Sequence, residues 1–351
     1  MRISLQKALS IIRRSLASNK PYHVQWMLTR RCNYHCRGCS VWSDPKNFRE
    51  ISTSDVKAGL DVLRKLGVIE IVFSGGNPLL REDIGEIIEC ASRFFITTVY
   101  DNGSMALKKI DALRNADFVA ISLDTRDQKK FDYIRGVPGA WKTAMEAIDT
   151  LHNEGVRVGV SPTISQLNLR EIPDFTRYFA ERGVPVWYCL YAYDYPSESQ
   201  LFGIGKKVDD FEIRDRKAMV ELCDRLIELK KRHRGVYITT KTLRTLENFF
   251  WSGQRAWRCR ALESFFMIDS LGRVASCHRN EPVANVWELP NLWESPRFEA
   301  LRKKYNKCDH CTYLCYIFYS LHADVASNFG IVFDQWKNVG ALLTRAHERS
   351  P

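Results

Sequence analysis

Three cysteines lie within eight positions of one another in the stretch TRRCNYHCRGCSVW, residues 29–42, namely Cys32, Cys36 and Cys39. Each can offer a thiolate to a metal. A zinc ion would take four ligands at a structural site, or three plus water at a catalytic one, with His35 as an extra ligand inside the loop. An iron–sulfur cluster normally takes four thiolates, so three would leave one iron with an open coordination position. Spacings of four and three residues let a single loop wrap one cubane, and they favour the cluster over zinc.

A second group of cysteines lies beyond residue 250. Two short apolar segments separate Cys259 from Cys277 and meet at a turn with Gly272, so a hairpin would bring the two thiols together. The stretch CDHCTYLC then adds Cys308, Cys311 and Cys315. Five thiols exceed the needs of one tetrahedral zinc site and suit one further iron–sulfur cluster. The remaining cysteines fall in helix or strand patterns, where small buried thiols are common: Cys90, Cys189 and Cys223.

Short apolar runs alternate with helical patterns from residue 21 onward. Segments with an apolar residue every three to four positions include STSDVKAGLDVLRKLG, in which Ser52 or Thr53 would cap the helix and Gly67 would end it. Six strand and helix alternations predict an α/β fold with a parallel sheet and right-handed crossovers, either an open sheet or an incomplete barrel. The six strands are predicted at residues 23–29, 69–75, 94–100, 117–123, 156–163 and 184–191.

In such a fold, reactive groups gather in the loops at the C-terminal ends of the strands. The first strand runs into Cys32, the second ends in SGGNP (74–78), the third in YDNGS (100–104) and the fourth in SLD (122–124). One face of the sheet therefore collects the three-cysteine loop, a glycine-rich turn and several small polar groups.

The charge and cysteine content narrow the partners and the compartment. The 52 Lys and Arg against 41 Asp and Glu give a net charge of +11, which favours phosphates, carboxylates, nucleic acid or an acidic membrane surface. Eleven clustered cysteines without a secretory leader indicate metal or redox chemistry in the cytoplasm rather than a disulfide framework. No run of about 18 apolar residues exists, so we expect no membrane-spanning helix.

The loop CNYHCRGC, residues 32–39, has the CxxxCxxC spacing of the radical S-adenosylmethionine (SAM) enzymes, and the glycine turn and SLD follow in the same order. From residue 21 to about 195 the chain resembles the catalytic domain of that superfamily, which implies a partial (β/α)6, TIM-like barrel. The resemblance implies that Cys32, Cys36 and Cys39 bind a 4Fe–4S cluster whose open iron binds SAM. One-electron reduction would then release a 5′-deoxyadenosyl radical that removes hydrogen from an unactivated carbon.

The same resemblance implies cofactor contacts at the glycine turn. In the superfamily this turn binds the methionine amino group, which implies roles for Gly75, Gly76 and Pro78. Asn77 stands where many members have Glu, but an amide oxygen can accept the same hydrogen bond without the charge. Gly38 stands where many members have an aromatic residue, so adenine contacts must come from the backbone or from elsewhere.

Later strand ends supply the remaining implied contacts. Ser122 and Asp124 resemble residues that meet the ribose hydroxyls, with Asn102 nearby. Arg135 in YIRGVPG resembles the arginine that faces the cofactor carboxylate, with a surface salt bridge as the alternative. The later strand ends add Thr163, Asn168 and Tyr191.

The C-terminal cysteines resemble the twitch or SPASM extension of radical SAM enzymes, including twelve residues between Cys259 and Gly272 and four between Gly272 and Cys277. A full SPASM domain has seven cysteines and two auxiliary clusters, so fewer cysteines imply a shorter, twitch-like α+β domain with one auxiliary 4Fe–4S cluster. If its irons are saturated, electron transfer is the favoured role. The expected ligands are Cys259, Cys277, Cys308 and either Cys311 or Cys315.

The two chain ends bear on the substrate. The predicted organisation is an amphipathic helix over 1–20, the barrel over 21–205, a helical connection over 206–255, the auxiliary-cluster domain over 256–325 and a second amphipathic helix over 326–351. The amphipathic ends favour a hydrophobic, lipid-like substrate and peripheral association with the inner face of a membrane. Tetrapyrrole side-chain modification is one alternative, because tetrapyrrole-modifying members share stretches such as LTRRCN and RGVPGA, and peptide maturation is the other.

A zinc-stabilised, basic nucleic-acid-binding protein is the non-enzymatic alternative, but it explains neither the six strand repeats nor the glycine turn. We therefore expect an enzyme that binds no nucleic acid and receives electrons from a donor such as ferredoxin or flavodoxin. Beyond the clusters, the sequence carries no unique catalytic signature. The candidates for a catalytic group are Tyr193, Tyr195 and His278.

Overall fold

The computed structural model of the chain describes residues 21–43, 49–192, 207–308, 312–324, 330–331, 333–335 and 338. The predicted helix over 1–20, most of the predicted helix over 326–351, and the candidates Tyr193 and Tyr195 lie outside these residues. Of the apolar stripe in the predicted C-terminal helix, Phe333 is described, and its side chain is 80% exposed.

The strands of the described residues form two sheets. They are β1 (His23–Thr29), β2 (Glu70–Gly75), β3 (Ile96–Asp101), β4 (Phe118–Ile121), β5 (Val158–Val160), β6 (Thr163–Ile164), β7 (Val186–Trp187), β8 (Cys189–Leu190), β9 (Val236–Tyr237), β10 (Phe265–Ile268), β11 (Arg273–Ala275) and β12 (Ala284–Asn285). The larger sheet has ten strands in the order β12-β11-β10-β1-β2-β3-β4-β5-β7-β9, and β6 pairs with β8 in the smaller sheet. The run from β1 to β7 is parallel throughout, which confirms the α/β fold with a partial barrel.

Helices follow most of the strands. They are α1 (Thr53–Leu66), α2 (Ile84–Ser92), α3 (Ile110–Leu113), α4 (Gln128–Arg135), α5 (Ala140–Asn153), α6 (Ile172–Glu181), α7 (Arg216–Arg232), α8 (Thr240–Ser252), α9 (Leu289–Leu292), α10 (Pro296–Asn306) and α11 (Leu314–Leu321). The predicted ends of α1 are confirmed. The Ser52 side chain accepts the Asp55 N–H, and Gly67 ends the helix in the left-handed region at φ 98°.

The barrel strands alternate between a helix-covered outer face and an inner face. Trp26 on β1 is fully buried on the outer face, where a Cβ at Gly59 of α1 would approach its ring to 2.6 Å. His23 lies three residues before Trp26 on β1 and so points to the opposite, inner face. Glu70 pairs with His23 in register across β1 and β2, and their side chains lie 3.0 Å apart. The apolar outer face therefore holds the barrel together, while polar groups are left to line its interior.

The last two barrel strands are interrupted, unlike the continuous strands predicted at 156–163 and 184–191. Pro162 separates β5 from β6, and a proline has no N–H to donate to a sheet. Its carbonyl oxygen instead accepts the N–H of Cys189 at 2.9 Å. The strands bend at this point, and their continuations β6 and β8 pair with each other near the C-terminal end of the barrel.

The C-terminal cysteine region continues the barrel sheet. The predicted hairpin is present as β10 and β11, antiparallel and turned at Gly272 with φ 75°. Strand β10 also pairs in parallel with β1, a contact that the sequence pattern did not predict. At the opposite edge, β9 from the connection over 206–255 pairs with β7. One sheet thus crosses both predicted domain boundaries.

Helix α11 bridges the two edges of the curved sheet. On one side the ring of Tyr316 stacks on Phe265 of β10, with centroids 4.7 Å apart. On the other side His322 bonds the Thr239 hydroxyl, just after β9, at 2.8 Å. Between them, the Tyr319 hydroxyl donates to Glu70 of β2 at 2.5 Å. Helix α11 therefore closes the open side of the six-stranded barrel.

Removing the Tyr319 hydroxyl tests this closure. We expect Tyr319→Phe to lower the free energy of unfolding by about 1–3 kcal/mol, because the half-buried Glu70 carboxylate loses a donor. The matched control is Tyr133→Phe, whose side chain is 41% exposed. Anaerobic urea unfolding of both cluster-loaded variants makes the comparison, and equal midpoints would contradict the role assigned to α11.

Candidate active site

The three-cysteine loop follows β1 directly. Its turn is closed by the N–H of Cys39, which donates to the Cys36 carbonyl at 3.2 Å. The three thiols are half-buried and form no disulfide. Burial, and then the charge of neighbouring Cys36, raise the pKa of Cys32 to about 11 and of Cys39 to about 12. A metal bound to these sulfurs would supply the positive charge that makes them thiolates.

The glycine turn after β2 clamps the start of this loop. The N–H of Gly76 donates to the Thr29 carbonyl at 2.8 Å, and the N–H of Asn77 donates to the Arg31 carbonyl at 2.8 Å. A Cβ at Gly75, where φ is +138°, would lie 2.1 Å from the Thr29 oxygen, and one at Gly76 would lie 2.1 Å from the Arg31 oxygen. Only glycines allow the two backbones to approach so closely.

A second clamp comes from the end of α4. The N–H of Arg37 donates to the Ile134 carbonyl at 3.0 Å. Gly136, which ends α4 at φ +66°, lies so close to the loop that a Cβ there would come within 2.4 Å of the His35 carbonyl oxygen. The cysteine loop is therefore fixed through its backbone from two sides, and its thiols are left available.

Asn77 holds a polar network beneath the loop. Its amide nitrogen donates to Asp101 at 2.7 Å and to Asn102 at 3.1 Å, while its oxygen accepts the Leu79 N–H at 3.0 Å. Asn102 in turn donates to Asn33 of the cysteine loop at 3.0 Å. The structure thus brings Asn77 and Asn102 together, as the strand-end rule predicts.

Asp101 was missed by the sequence reasoning. It is 2% exposed, and burial raises its pKa to about 6 although Asn77 and the N–H groups of Gly103 and Ala106 donate to it. A glutamate at position 77 would place a second carboxylate against this one, which is a physical reason for Asn there. The available signal was its position directly after the strand predicted at 94–100, beside Asn102.

Asp124 and Arg135 form an ion pair under the cysteine loop. One Asp124 oxygen lies 2.7 Å from the guanidinium, and the other accepts the Thr163 N–H at 2.9 Å. The guanidinium also points a nitrogen at the Cys36 sulfur, 3.9 Å away. Burial alone would lower the Arg135 pKa, but the charges of Asp124 and Cys36 outweigh it and raise the pKa. Among the groups that the structure describes, the buried Nε of Arg135 finds no acceptor, which fits a site shaped for an anionic ligand.

The other candidate contacts lie around this pair. Asn168 bonds the Asp124 carbonyl at 2.8 Å and so holds the strand end in place. Ser122 is half-buried at the end of β4, and its N–H donates to the Asp101 carbonyl at 2.9 Å. Pro78 is buried and begins the short helix after the glycine turn.

Two aromatic rings fill the space beside Gly38. A Cβ there would lie 2.9 Å from the Phe211 ring and 3.1 Å from the Tyr191 ring. The two rings meet edge to face with centroids 5.4 Å apart, and the Tyr191 hydroxyl accepts the Val208 N–H at 2.8 Å. Tyr191 therefore lies at the cysteine loop, as expected, and Phe211 joins it from a segment that the sequence did not connect to the site.

The second cysteine group includes Cys277, two residues after β11 of the hairpin. Burial first, and then the charges of Cys259 and Cys308, raise the pKa of Cys277 to about 11. Cys311 lies outside the described residues. His278 is 2% exposed and packs against the rings of Tyr313 and Tyr316, with centroids 4.9 and 5.5 Å away. In the described part of the chain, no three His, Cys, Asp or Glu side chains converge as they would on a single metal ion.

Two family models match these two regions. The model of the radical SAM superfamily matches residues 26–179, and that of the SPASM iron–sulfur cluster-binding domain matches residues 259–312. The chain therefore carries a radical SAM domain followed by a SPASM iron–sulfur cluster-binding domain. The protein is therefore an enzyme whose cofactors are SAM, a SAM-binding 4Fe–4S cluster and auxiliary iron–sulfur clusters. Radical SAM catalysis also requires a reductant.

The chain is also similar to curated relatives, and it shares its fold with a solved structure. A heme synthase of Methanosarcina barkeri that depends on SAM is 25% identical over 326 residues, which cover 84% of this chain and 90% of the relative. A mycofactocin maturase of Mycolicibacterium smegmatis is 29% identical over 168 residues, 46% of this chain and 43% of the relative. The SAM-bound structure of SuiB from Streptococcus suis shares the fold, with a TM-score of 0.63, 15% identity, and coverage of 92% of this chain and 75% of that one.

These relatives favour the tetrapyrrole and maturase alternatives over the lipid-like substrate that the chain ends suggested. Nothing in the comparisons supports association with a membrane face. Within the described ranges, no helix is both long and apolar enough to cross a bilayer.

A methyl group at the glycine turn should disturb the radical SAM site. We expect Gly76→Ala to lower the iron content and weaken SAM binding at least about tenfold, since a shift of about 1 Å at a site can cost up to 10²-fold. Gly85→Ala is the control, because its Cβ would lie 3.4 Å from Ala112, an ordinary contact. Iron analysis and equilibrium dialysis with labelled SAM give the measurement. Equal binding by both variants would refute the clamp.

Replacing the Asn77 amide with a carboxylate should create a pH-dependent defect. We expect Asn77→Asp to lose about 2–4 kcal/mol of stability at pH 7.5, because two buried carboxylates meet without a donor between them. The loss should shrink towards pH 5, since a pKa raised by folding gives stability that is present at low pH and lost as pH rises. Urea midpoints at both pH values measure it. Asn77→Asp combined with Asp101→Asn should restore stability, and a pH-independent loss would be inconsistent with this pairing.

Proposed function

We propose that this radical SAM enzyme modifies a carboxylate-bearing side chain of a tetrapyrrole. The observation that carries the proposal is the likeness to a heme synthase over 84% of this chain and 90% of the relative. The maturase matches only 46% of this chain. The residues that bind SAM and its cluster, which both proteins would share, are enough to explain a match of that length. A net charge of +11 also suits an anionic substrate.

We assign the SAM-binding cluster to Cys32, Cys36 and Cys39. Three thiols on a loop fixed by its backbone, with an arginine side chain beside one of them, match the donor set of a cluster with one open iron. When bound and reduced by an external donor, the cluster would supply one electron for cleavage of the SAM sulfonium, which would provide the radical chemistry that acts on the substrate.

The surrounding residues would orient SAM. The backbone of Gly75 and Gly76 leaves room for the methionine part to approach the turn, and Asn77 and Pro78 fix the shape of that turn. Arg135 provides a buried positive charge for the methionine carboxylate. The ribose would lie near Ser122, Asp124, Asn102 and Thr163, and Tyr191 with Phe211 would cover the side of the loop left open by Gly38.

The auxiliary cluster would be held by Cys259, Cys277, Cys308 and one further thiol. Removal of a hydrogen atom leaves an unpaired electron on the substrate, and a closed-shell oxidised product requires that this electron leave. A fully ligated auxiliary cluster held by these thiols would supply a one-electron acceptor there. The basic surface suits a small acidic donor such as ferredoxin or flavodoxin, and clustered free thiols suit the reducing cytoplasm.

A pair of porphyrin probes tests the substrate. The anaerobically reconstituted enzyme is incubated with SAM, dithionite and either iron coproporphyrin III or its tetramethyl ester, which differ only in the free carboxylates. We expect the carboxylate form to change mass with matching formation of 5′-deoxyadenosine, and the ester to remain unchanged. Formation of 5′-deoxyadenosine without any porphyrin product, or equal conversion of the ester, would count against the proposal.

A further inference from the structure

Cys315 lies on a different side of the structure from the other auxiliary-domain thiols. It is in the first turn of α11, and Tyr319 follows one turn later on the same helix face. Tyr319 bonds Glu70 at 2.5 Å and stacks on His23 with ring centroids 3.8 Å apart, and both of these residues belong to the inner face of the barrel. The helix face that carries Cys315 is therefore the face that closes the barrel interior.

The neighbouring helix position points elsewhere. Tyr316 lies about 100° further round the helix, and its ring stacks on Phe265 and meets His278 next to Cys277. Tyr316 therefore contacts the residue next to Cys277, whereas Tyr319, one turn after Cys315, contacts His23 and Glu70 inside the barrel.

Helix α11, which carries Cys315, contacts β8 on the opposite wall of the barrel. The Ser161 hydroxyl lies 3.7 Å from the Cys189 sulfur, and Tyr100 on the inner face of β3 hydrogen-bonds to both. Burial raises the Tyr100 pKa well above its usual range, and the charges of Cys189 and Cys315 add to the rise. Cys189 pairs in register with Thr163, whose N–H donates to Asp124, and Asp124 pairs with Arg135 beside the cysteine loop. This wall therefore lies directly below the cysteine loop.

The remaining auxiliary thiols interact with one another. The charge of Cys308 raises the pKa of both Cys259 and Cys277. The matched SPASM segment, residues 259–312, ends before Cys315. The family match thus includes Cys308 and Cys311 and does not reach Cys315.

We infer that Cys315 is a wall residue of the reaction chamber whose thiol contacts the substrate, and that it is not an auxiliary-cluster ligand. The chamber is the space between α11 and the inner ends of β3, β5 and β8, below the pair of Asp124 and Arg135. The inference rests on the proposed function, since it assumes that the substrate enters the barrel beside SAM. Of the two alternatives that the sequence left open, Cys311 then remains for the cluster.

Iron content and reaction coupling test the inference together. Wild type, Cys315→Ala, Cys315→Ser and Cys259→Ala are reconstituted, and iron is counted per chain. Two cubanes correspond to about eight irons. We expect about eight irons in wild type and in both Cys315 variants, but about four in Cys259→Ala. With iron coproporphyrin III, Cys315→Ala should keep forming 5′-deoxyadenosine while its porphyrin product per 5′-deoxyadenosine falls about tenfold, and Ser should restore part of the coupling.

Three outcomes have distinct meanings. About four irons in both Cys315 variants, against eight in wild type, would identify Cys315 as a ligand and overturn the inference alone. Eight irons with unchanged coupling and KM in Cys315→Ala would overturn its contact with the substrate. About four irons in wild type, or no porphyrin product from wild type, would instead overturn the proposed function.

Discussion

The site depends on a close approach between two backbones. The cysteine loop is held by two N–H groups of the glycine turn, each 2.8 Å from a carbonyl oxygen of the loop, at a separation where a single Cβ would clash at 2.1 Å. Because backbone groups do this work, the cysteine side chains are not needed to hold the loop. They remain available for a metal. The end of α4 fixes the other side of the loop in the same way, through Gly136.

The closure of the barrel joins the two cysteine regions into one continuous structure. Six strands leave an open side, which α11 fills by packing on β10, bonding next to β9 and reaching Glu70 inside. The auxiliary hairpin is part of the same sheet through β10 and β1. An auxiliary cluster held there would therefore keep a fixed distance from the SAM site, which electron transfer requires. Movement of one region relative to the other would break a continuous hydrogen-bond ladder.

Local patterns predicted the strands and the cap of α1, because apolar periodicity and capping residues act over a few positions. The parallel pairing of β10 with β1 joins residues that are more than 240 positions apart, and no local pattern specifies it. Asp101 escaped notice because its importance arises from burial beneath Asn77. Phe211 likewise reaches Gly38 only through the tertiary fold. The sequence identifies the cysteines that could bind metal. It does not show which side of α11 carries Cys315, because that depends on the tertiary contacts of the helix.

The central claim is that Cys32, Cys36 and Cys39 hold a cluster with one iron open to SAM. Electron paramagnetic resonance of the reduced enzyme, recorded with and without SAM, tests it most directly. We expect SAM to change the paramagnetic resonance signal of one cluster in wild type and in Cys259→Ala. We expect this change to disappear in Cys36→Ala. A signal that ignores SAM in wild type, or that still responds to SAM in Cys36→Ala, would contradict it.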